Sequence, residues 1–186
     1  MNPSIITLIY GMTKQKASII IPVKNRTELF EKALNSAINQ TYRPLEIIVV
    51  DDGSGNEEFE IISGIVAEKA YQKDEHLSIS IFKNSRKGAA GARNEGFLQS
   101  HGTLIQFLDS DDILLPTKIE EQAEVLASND KLDLVYSIAT FIDNDEKPLT
   151  NKWGQSLTNT SKGFFNFSYQ TMCPLYKRSA IEKYGL

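Results

Sequence analysis

Short, continuous apolar runs alternate with segments of helical spacing along most of this chain. The continuous runs occupy residues 18–23, 46–50, 77–82 and 103–108, with a fifth at 133–137. Between them, apolar residues recur every three or four positions over about 27–38, 59–66, 89–100 and 116–127, and Thr27 suits the cap position of the first of these helices. The first run is too continuously apolar for a half-exposed strand and predicts burial on both faces. The alternation predicts βαβ units, and so an α/β fold with a mostly parallel central sheet flanked by helices on both faces.

Both ends of the chain depart from this alternation. Residues 1–16 include an apolar stretch at 5–10 that is too short to span a bilayer, and we interpret them as a leader or an extra packed segment. Residues 139–172 mix small polar residues with scattered aromatics and predict loops and short strands near a substrate. Residues 179–184 predict a short helix that Gly185 ends.

Composition narrows the functional classes. The chain has 186 residues, of which 41% are hydrophobic and 24% charged, as expected of one soluble globular domain. Its net charge of −4 and its lack of a basic stripe argue against nucleic acid as a partner. The single cysteine, Cys173, excludes an internal disulfide and fits a reducing compartment, so we expect a cytoplasmic location.

An acidic cluster follows the fourth apolar run. Asp109, Asp111 and Asp112 lie within four residues, and their mutual repulsion favours a bound cation such as Mg²⁺ or Mn²⁺. A solvated turn is the alternative. The pair Asp51 and Asp52 also follows an apolar run, so two buried strands should deliver carboxylates to the same edge of the sheet.

Two further polar segments should reach that edge. Residues 22–26 follow the first strand, and residues 84–96 contain three cations and three glycines at the entry to a helix. Such an entry is suited to contact a phosphate or a ribose, through Lys87 or Arg93 for example. Close helix packing combined with a turn is the alternative explanation of the glycines.

Five motifs together resemble the family 2 glycosyltransferases with the GT-A fold. They are SIIIPVKNR at 18–26, AINQTY at 37–42, EIIVVDDGS at 46–54, ARNEG at 92–96 and FLDSDD at 107–112, in the order of that family. The resemblance covers roughly residues 17–127. It implies that residues 17–138 form a donor-binding α/β domain and that residues 139–186 begin an acceptor-side region.

The resemblance also implies roles for individual residues. Pro22, Lys24 and Asn25 would lie along the base and ribose of a nucleotide-sugar, and Asp52 would accept a hydrogen bond from the base, usually uracil in this family. Lys87 or Arg86 would lie near the base or the phosphates. Asp109 and Asp111 match the DxD motif, which contacts the ribose and a divalent cation. Asp111 is the first choice as metal ligand, and Asp112 is the alternative.

The implied reaction transfers a sugar from a nucleotide-sugar, with UDP expected, to a hydroxyl of a saccharide or glycolipid acceptor. We expect inversion, a role in polysaccharide or surface-glycan synthesis, and peripheral contact with the inner face of a membrane. The general base of the family lies in a motif that we expect beyond Leu186, so the chain is expected to be truncated and its catalytic residue is not assigned. A non-catalytic nucleotide-sugar binding module or an inactive fragment is therefore the alternative. A dinucleotide-dependent oxidoreductase is disfavoured because the first turn lacks a GxGxxG pattern.

Overall fold

The computed structural model describes residues 14–71, 74–143, 147–153 and 170–185. The strands are β1 (Ala17–Val23), β2 (Leu45–Asp51), β3 (Leu77–Lys83), β4 (Leu104–Phe107), β5 (Leu134–Tyr136), β6 (Ala139–Ile142), β7 (Pro148–Trp153) and β8 (Pro174–Lys177). The helices are α1 (Thr27–Ile38), α2 (Asn56–Ala70), α3 (Ala89–Gln99), α4 (Lys118–Ser128) and α5 (Arg178–Tyr184).

The main sheet has six strands in the order β3-β2-β1-β4-β8-β5. Strands β1 to β4 are parallel, and β8 runs antiparallel to both of its neighbours, β4 and β5. The chain builds outward from β1 to β3 and then crosses to the other side of β1 to form β4. The carboxyl ends of β1 and β4 therefore flank a switch point, where an open parallel sheet leaves a crevice for a ligand.

Two apolar layers cover the sheet. On one face, Ile19 and Ile21 of β1 pack with residues of α1, α2 and α4, including Phe30 and Ile119. On the other face, Ile20 of β1 packs in a smaller cluster with residues of α3 and α5. All seven residues of β1 and of β2 are buried, because both strands lie between helical layers. The structure thus confirms the prediction of a mostly parallel α/β sheet with helices on both faces.

Two local features differ from the prediction. Strand β8 was not predicted, since its four residues gain strand structure only by pairing with β4 and β5. Thr27, expected to cap α1, is instead the first helical residue, and its hydroxyl donates a hydrogen bond to Glu58 of α2. Arg26 occupies the cap position in a left-handed conformation.

The remaining strands, β6 and β7, pair antiparallel in a separate two-stranded sheet within the segment expected to hold short strands. Residues 1–13 lie outside the described residues, so most of the expected leader is not placed. In the described part of the chain, no helix has the length and apolar character needed to cross a bilayer.

Candidate functional site

A cleft of about 320 Å³ lies at the carboxyl ends of β1, β2 and β4. Its wall is formed by Pro22, Val23, Lys24, Arg26, Asp52, Ala89, Arg93, Asp109, Ser110 and Asp111. These residues come from the end of β1, from the loops after three parallel strands and from the first turns of α3. The cleft therefore occupies the crevice that the strand order creates.

The loop after β1 turns sharply before α1. Asn25 and Arg26 both have positive φ angles, 54° and 60°, which non-glycine residues seldom adopt. Hydrogen bonds to the loop after β2 hold this conformation, because Asn25 accepts from the Gly55 N–H over 3.2 Å and donates its own backbone N–H to Ser54 Oγ over 2.8 Å. The turn brings the Arg26 guanidinium to the cleft, where it donates to Asp111 Oδ2 over 2.9 Å.

The two aspartates after β2 have different partners. The Asp51 side chain is buried and accepts hydrogen bonds from the backbone N–H groups of Gly53 and Ser54, which closes the turn. Gly53 has φ 84°, a conformation that favours glycine at this turn. Asp52 donates its N–H to Val23 O over 2.7 Å and places its side chain on the cleft wall. Of the two carboxylates, Asp52 is the one available to a ligand.

A loop at the start of α3 supports Asp52. The Asn84 amide donates to Asp52 Oδ1 over 2.7 Å, and the Gly88 N–H donates to the same oxygen over 2.8 Å. Gly88 precedes α3 with φ 97° and has no Cβ to oppose that conformation. The carboxylate therefore lies at the amino end of α3, where the helix dipole favours negative charge.

The acidic loop after β4 forms a turn, in which the Asp112 N–H donates to Asp109 O over 3.0 Å. Asp109 Oδ1 accepts a hydrogen bond from Arg93 Nη2 over 2.5 Å. Burial, together with the neighbouring negative charges of Asp109 and Asp111, raises the pKa of Asp112 to about 6. The three carboxylates thus repel one another, and arginines compensate the two that line the cleft.

The donor set of the cleft fits a divalent cation shared with a phosphate ligand. Asp109 and Asp111 present hard oxygen atoms to the same cavity. Among the described residues, no cluster of three or more carboxylate, imidazole or thiol groups forms a closed metal cage. Mg²⁺ is commonly held by one or two carboxylates together with substrate phosphates, which matches this open arrangement.

The structure brings six of the predicted site residues to the cleft wall: Pro22, Lys24, Asp52, Arg93, Asp109 and Asp111. Of the other three, Asn25 ties two loops together, Lys87 lies exposed in the loop before α3, and Asp112 is half-buried behind the acidic turn.

Sequence reasoning did not single out Arg26 or Asn84 as site residues. The only available signal for Arg26 was a cation that follows β1, at the same sheet edge as the acidic cluster. Asn84 lies in the glycine-rich segment, but its hydrogen bond to Asp52 joins residues that are 32 positions apart.

Comparison with characterised proteins places the chain among glycosyltransferases. It is 39% identical over 120 residues to an Escherichia coli protein named UDP-Glc:alpha-D-GlcNAc-diphosphoundecaprenol beta-1,3-glucosyltransferase WfaP, covering 64% of this chain and 44% of that protein. A mannosyltransferase from Pyrobaculum calidifontis in complex with GDP-Man and Mn²⁺ superposes with a TM-score of 0.66 at 18% identity, covering 94% of this chain and 48% of that one. Staphylococcus aureus TarS 1-349 in complex with UDP-GlcNAc also gives 0.66, at 19% identity, covering 90% and 47%.

The two solved structures share the fold of this chain, which is the GT-A fold of glycosyltransferases. The chain spans less than half the length of each of these three proteins. The sequence profile of glycosyl transferase family 2 matches residues 18–185, from the second residue of β1 to just beyond the end of α5. Together with the order of the motifs around the cleft, this match shows that the chain belongs to glycosyl transferase family 2.

Proposed function

We propose that the cleft binds the nucleoside diphosphate part of a nucleotide-sugar, with UDP as the expected nucleotide, and that the protein transfers the sugar to a hydroxyl of a membrane-linked saccharide. One observation carries the proposal: four separate elements bring three carboxylates, Asp52, Asp109 and Asp111, together with the cations Arg26 and Arg93 into one cleft at the sheet's switch point. The relative from Escherichia coli carries UDP-Glc and a diphosphoundecaprenol-linked sugar in its name, which supports a glycolipid acceptor. The proposal extends to surface-glycan synthesis at the inner face of a membrane.

Each wall of the cleft suits a different part of the donor. Pro22 and Lys24 offer an apolar ring and a cation beside Asp52, which suits a base and its ribose. Asp109 is tied to α3 through its bond to Arg93, and we assign it to the ribose hydroxyls or the metal. Arg93 keeps a buried Nε that has no hydrogen-bond partner among the described residues. Because Arg93 also lines the cleft, its guanidinium is placed to attract an anionic ligand there.

A divalent cation, Mg²⁺ or Mn²⁺, would be held by Asp111 together with Asp109 and the diphosphate, with Asp112 as a further candidate. When bound, it would neutralise the charge that develops on the diphosphate as the sugar departs. The neighbour from Pyrobaculum calidifontis is described with Mn²⁺ and a nucleotide-sugar, which supports this assignment.

The arginine pairs make a specific contribution to binding. Arg26 pairs with Asp111, and both side chains are about half exposed, so the pair is weak and its partners are exchangeable. A ligand that brings both a cation and a diphosphate offers each of them a stronger partner. Asp111 gains the metal and Arg26 becomes available to a phosphate oxygen, so nucleotide and metal should bind cooperatively.

Calorimetric titration of UDP and GDP, with and without Mn²⁺, tests the proposal on the natural chain and on Asp111→Ala. We expect Mn²⁺ to tighten binding of at least one nucleotide by about tenfold or more, equivalent to about 1.4 kcal/mol. The Asp111→Ala variant should lose that gain and keep its metal-independent affinity, because Arg26 is then free for the diphosphate.

A matched control is Asp130→Ala, which removes an exposed carboxylate in the turn before β5, away from the cleft. It should retain the full Mn²⁺ effect. Absence of nucleotide binding with or without metal would contradict the proposal, as would an Asp111→Ala variant that responds to Mn²⁺ like the natural chain. Release of UDP from UDP-glucose on addition of a polyprenol-diphosphate-linked saccharide would then separate a transferase from a module that only binds the donor.

A further inference from the structure

One oxygen of the Asp52 carboxylate is fully engaged within the protein. The Asn84 side-chain amide and the Gly88 N–H both donate to Oδ1, over 2.7 and 2.8 Å. Among the residues that the structure describes, none donates to the second oxygen, Oδ2. Because Asp52 lines the cleft, Oδ2 is the atom that is left to accept a hydrogen bond from a ligand.

The orientation of the Asn84 amide is itself fixed. Its Oδ1 accepts a hydrogen bond from the Arg86 N–H over 3.0 Å, and its backbone N–H donates to Asp51 O over 2.8 Å. The amide nitrogen must therefore face Asp52. The reversed rotamer would place two acceptor oxygens against each other at hydrogen-bond distance and would leave the Arg86 N–H beside a donor.

We propose that Asn84 is a positioning residue that fixes the Asp52 carboxylate for nucleobase recognition, so that the cleft selects bases with a ring N–H. The inference rests on the proposed function, since it takes the base of the donor to lie against Asp52. A carboxylate only accepts hydrogen bonds. Uracil and guanine offer a ring N–H to such an acceptor, whereas the corresponding ring nitrogen of cytosine carries a lone pair. The cleft should therefore bind UDP or GDP in preference to CDP.

The same geometry predicts the effect of changing Asp52 itself. In Asp52→Asn, the donors Asn84 and Gly88 N–H would hold the new amide oxygen on their side. The amide NH₂ would then face the ligand as a donor, which suits the lone pair of cytosine. Asn84, together with the Gly88 N–H, thus determines which end of the residue at position 52 the base meets.

The experiment measures the dissociation constants of UDP, GDP and CDP by calorimetry with Mn²⁺, on the natural chain and on four variants. Asn84→Asp keeps the acceptor for the Arg86 N–H and removes the donor to Asp52, whereas Asn84→Ala removes both. Asp52→Asn tests the reversal. Gln99→Glu is the matched control, because the Gln99 amide also donates to a carboxylate, Glu95, over 3.0 Å, but at the far end of α3.

We expect the natural chain and Gln99→Glu to prefer UDP or GDP over CDP by about tenfold to a hundredfold, the effect of one unmatched polar contact. Both Asn84 variants should reduce this ratio to about threefold or less, and Asp52→Asn should favour CDP. A purely structural role for Asn84 would weaken all three nucleotides equally and leave the ratio intact.

The outcomes separate the two proposals. If the natural chain binds no nucleotide, the proposed function fails and the inference fails with it. If it binds UDP or GDP selectively and both Asn84 variants keep the full ratio, only the inference fails. If the Asn84 variants bind no nucleotide, the Asp52→Asn variant, which retains Asn84, tests the inference instead. A preference of that variant for CDP supports the inference, and a retained preference for UDP or GDP overturns it. Circular dichroism of each variant checks that the fold is retained.

Discussion

The contact between α3 and the sheet makes a sharp prediction about Gly96. A Cβ atom added at Gly96 would lie 2.3 Å from Ile20 Cγ2 and 3.2 Å from Val50 Cγ2. The first distance is roughly 1.2 Å or more below an ordinary carbon contact. Ile20 lies in the middle of β1 with no exposed surface, and its β-branched side chain has little rotameric freedom. The Gly96→Ala substitution must therefore push α3 away from β1 and β2.

Gly64 provides a matched control. It lies in the middle of α2, and a Cβ atom there would meet nothing within 4 Å. Replacing glycine by alanine inside a helix gains about 0.5–1 kcal/mol at either site. Gly96→Ala also incurs an overpacking cost of about 1–3 kcal/mol. Because both variants share the gain from replacing glycine in a helix, the difference between their free energies of unfolding isolates the overpacking cost. Gly64→Ala should be the more stable variant by about 1–3 kcal/mol.

Urea unfolding monitored by circular dichroism measures both variants. Calorimetric titration with UDP and Mn²⁺ then shows whether a displaced α3 weakens nucleotide binding, since α3 also carries Ala89 and Arg93 on the cleft wall. We expect Gly96→Ala to weaken UDP binding and Gly64→Ala to leave it unchanged. Equal free energies of unfolding for the two variants, within about 0.5 kcal/mol, would show that α3 does not pack on β1 as closely as described.

Two further predictions concern buried ionisable groups. Burial alone would raise the pKa of Glu46, but hydrogen bonds from Lys16, Ser18 and the His101 N–H lower it below its ordinary 4.5. The stability that this ionised carboxylate contributes is present above pH 4.5 and is lost as the pH falls through its lower pKa in the folded state. In urea titrations, Glu46→Gln should therefore cost about 1–3 kcal/mol at pH 7 and much less at pH 3. An equal cost at both pH values would contradict this. Burial lowers the pKa of Lys118 from 10.5 to about 7, so the unfolded chain binds the Lys118 proton more tightly than the folded chain does. The free energy of unfolding should therefore rise between pH 7 and 10.5. Lys118→Met should flatten the rise, and a rise of the same slope in the variant would show that another group causes it.

The regular part of the fold was predictable because burial leaves a local pattern in the sequence. Strands β1 and β2 are continuous apolar runs because helices cover both of their faces, and α1 and α4 repeat apolar residues where they meet the core. Strand β8 left no such pattern. It has only four residues, two of them half-buried, and its partners β4 and β5 lie about 70 and 40 positions earlier in the chain. A strand defined by distant pairing cannot be identified from its own residues.

The candidate site, like the fold, was predictable only in part. The edge at which polar residues would gather followed from parallel topology, and the acidic cluster was expected there. The choice between Asp51 and Asp52 did not follow from the apolar pattern, and only the family resemblance pointed to Asp52. Asp51 and Asp52 are adjacent and chemically identical, yet Asp51 closes a turn with backbone N–H groups while Asp52 lines the cleft. The Asp51 side chain finds its partners in its own turn, whereas the Asp52 side chain finds them in the loop before α3.

The pairing of charges across the cleft could not be predicted from the sequence either, although it matters for ligand binding. The net charge of −4 and the acidic cluster suggest a negative site, which would repel a diphosphate. In the folded chain Arg93 and Arg26 lie against Asp109 and Asp111, although 16 and 85 positions separate the members of each pair. The cleft wall therefore carries positive and negative side chains that are paired with one another. Neither a diphosphate alone nor a cation alone satisfies such a surface, but the two together match both of its charges, and for this reason nucleotide and metal are expected to bind as a unit.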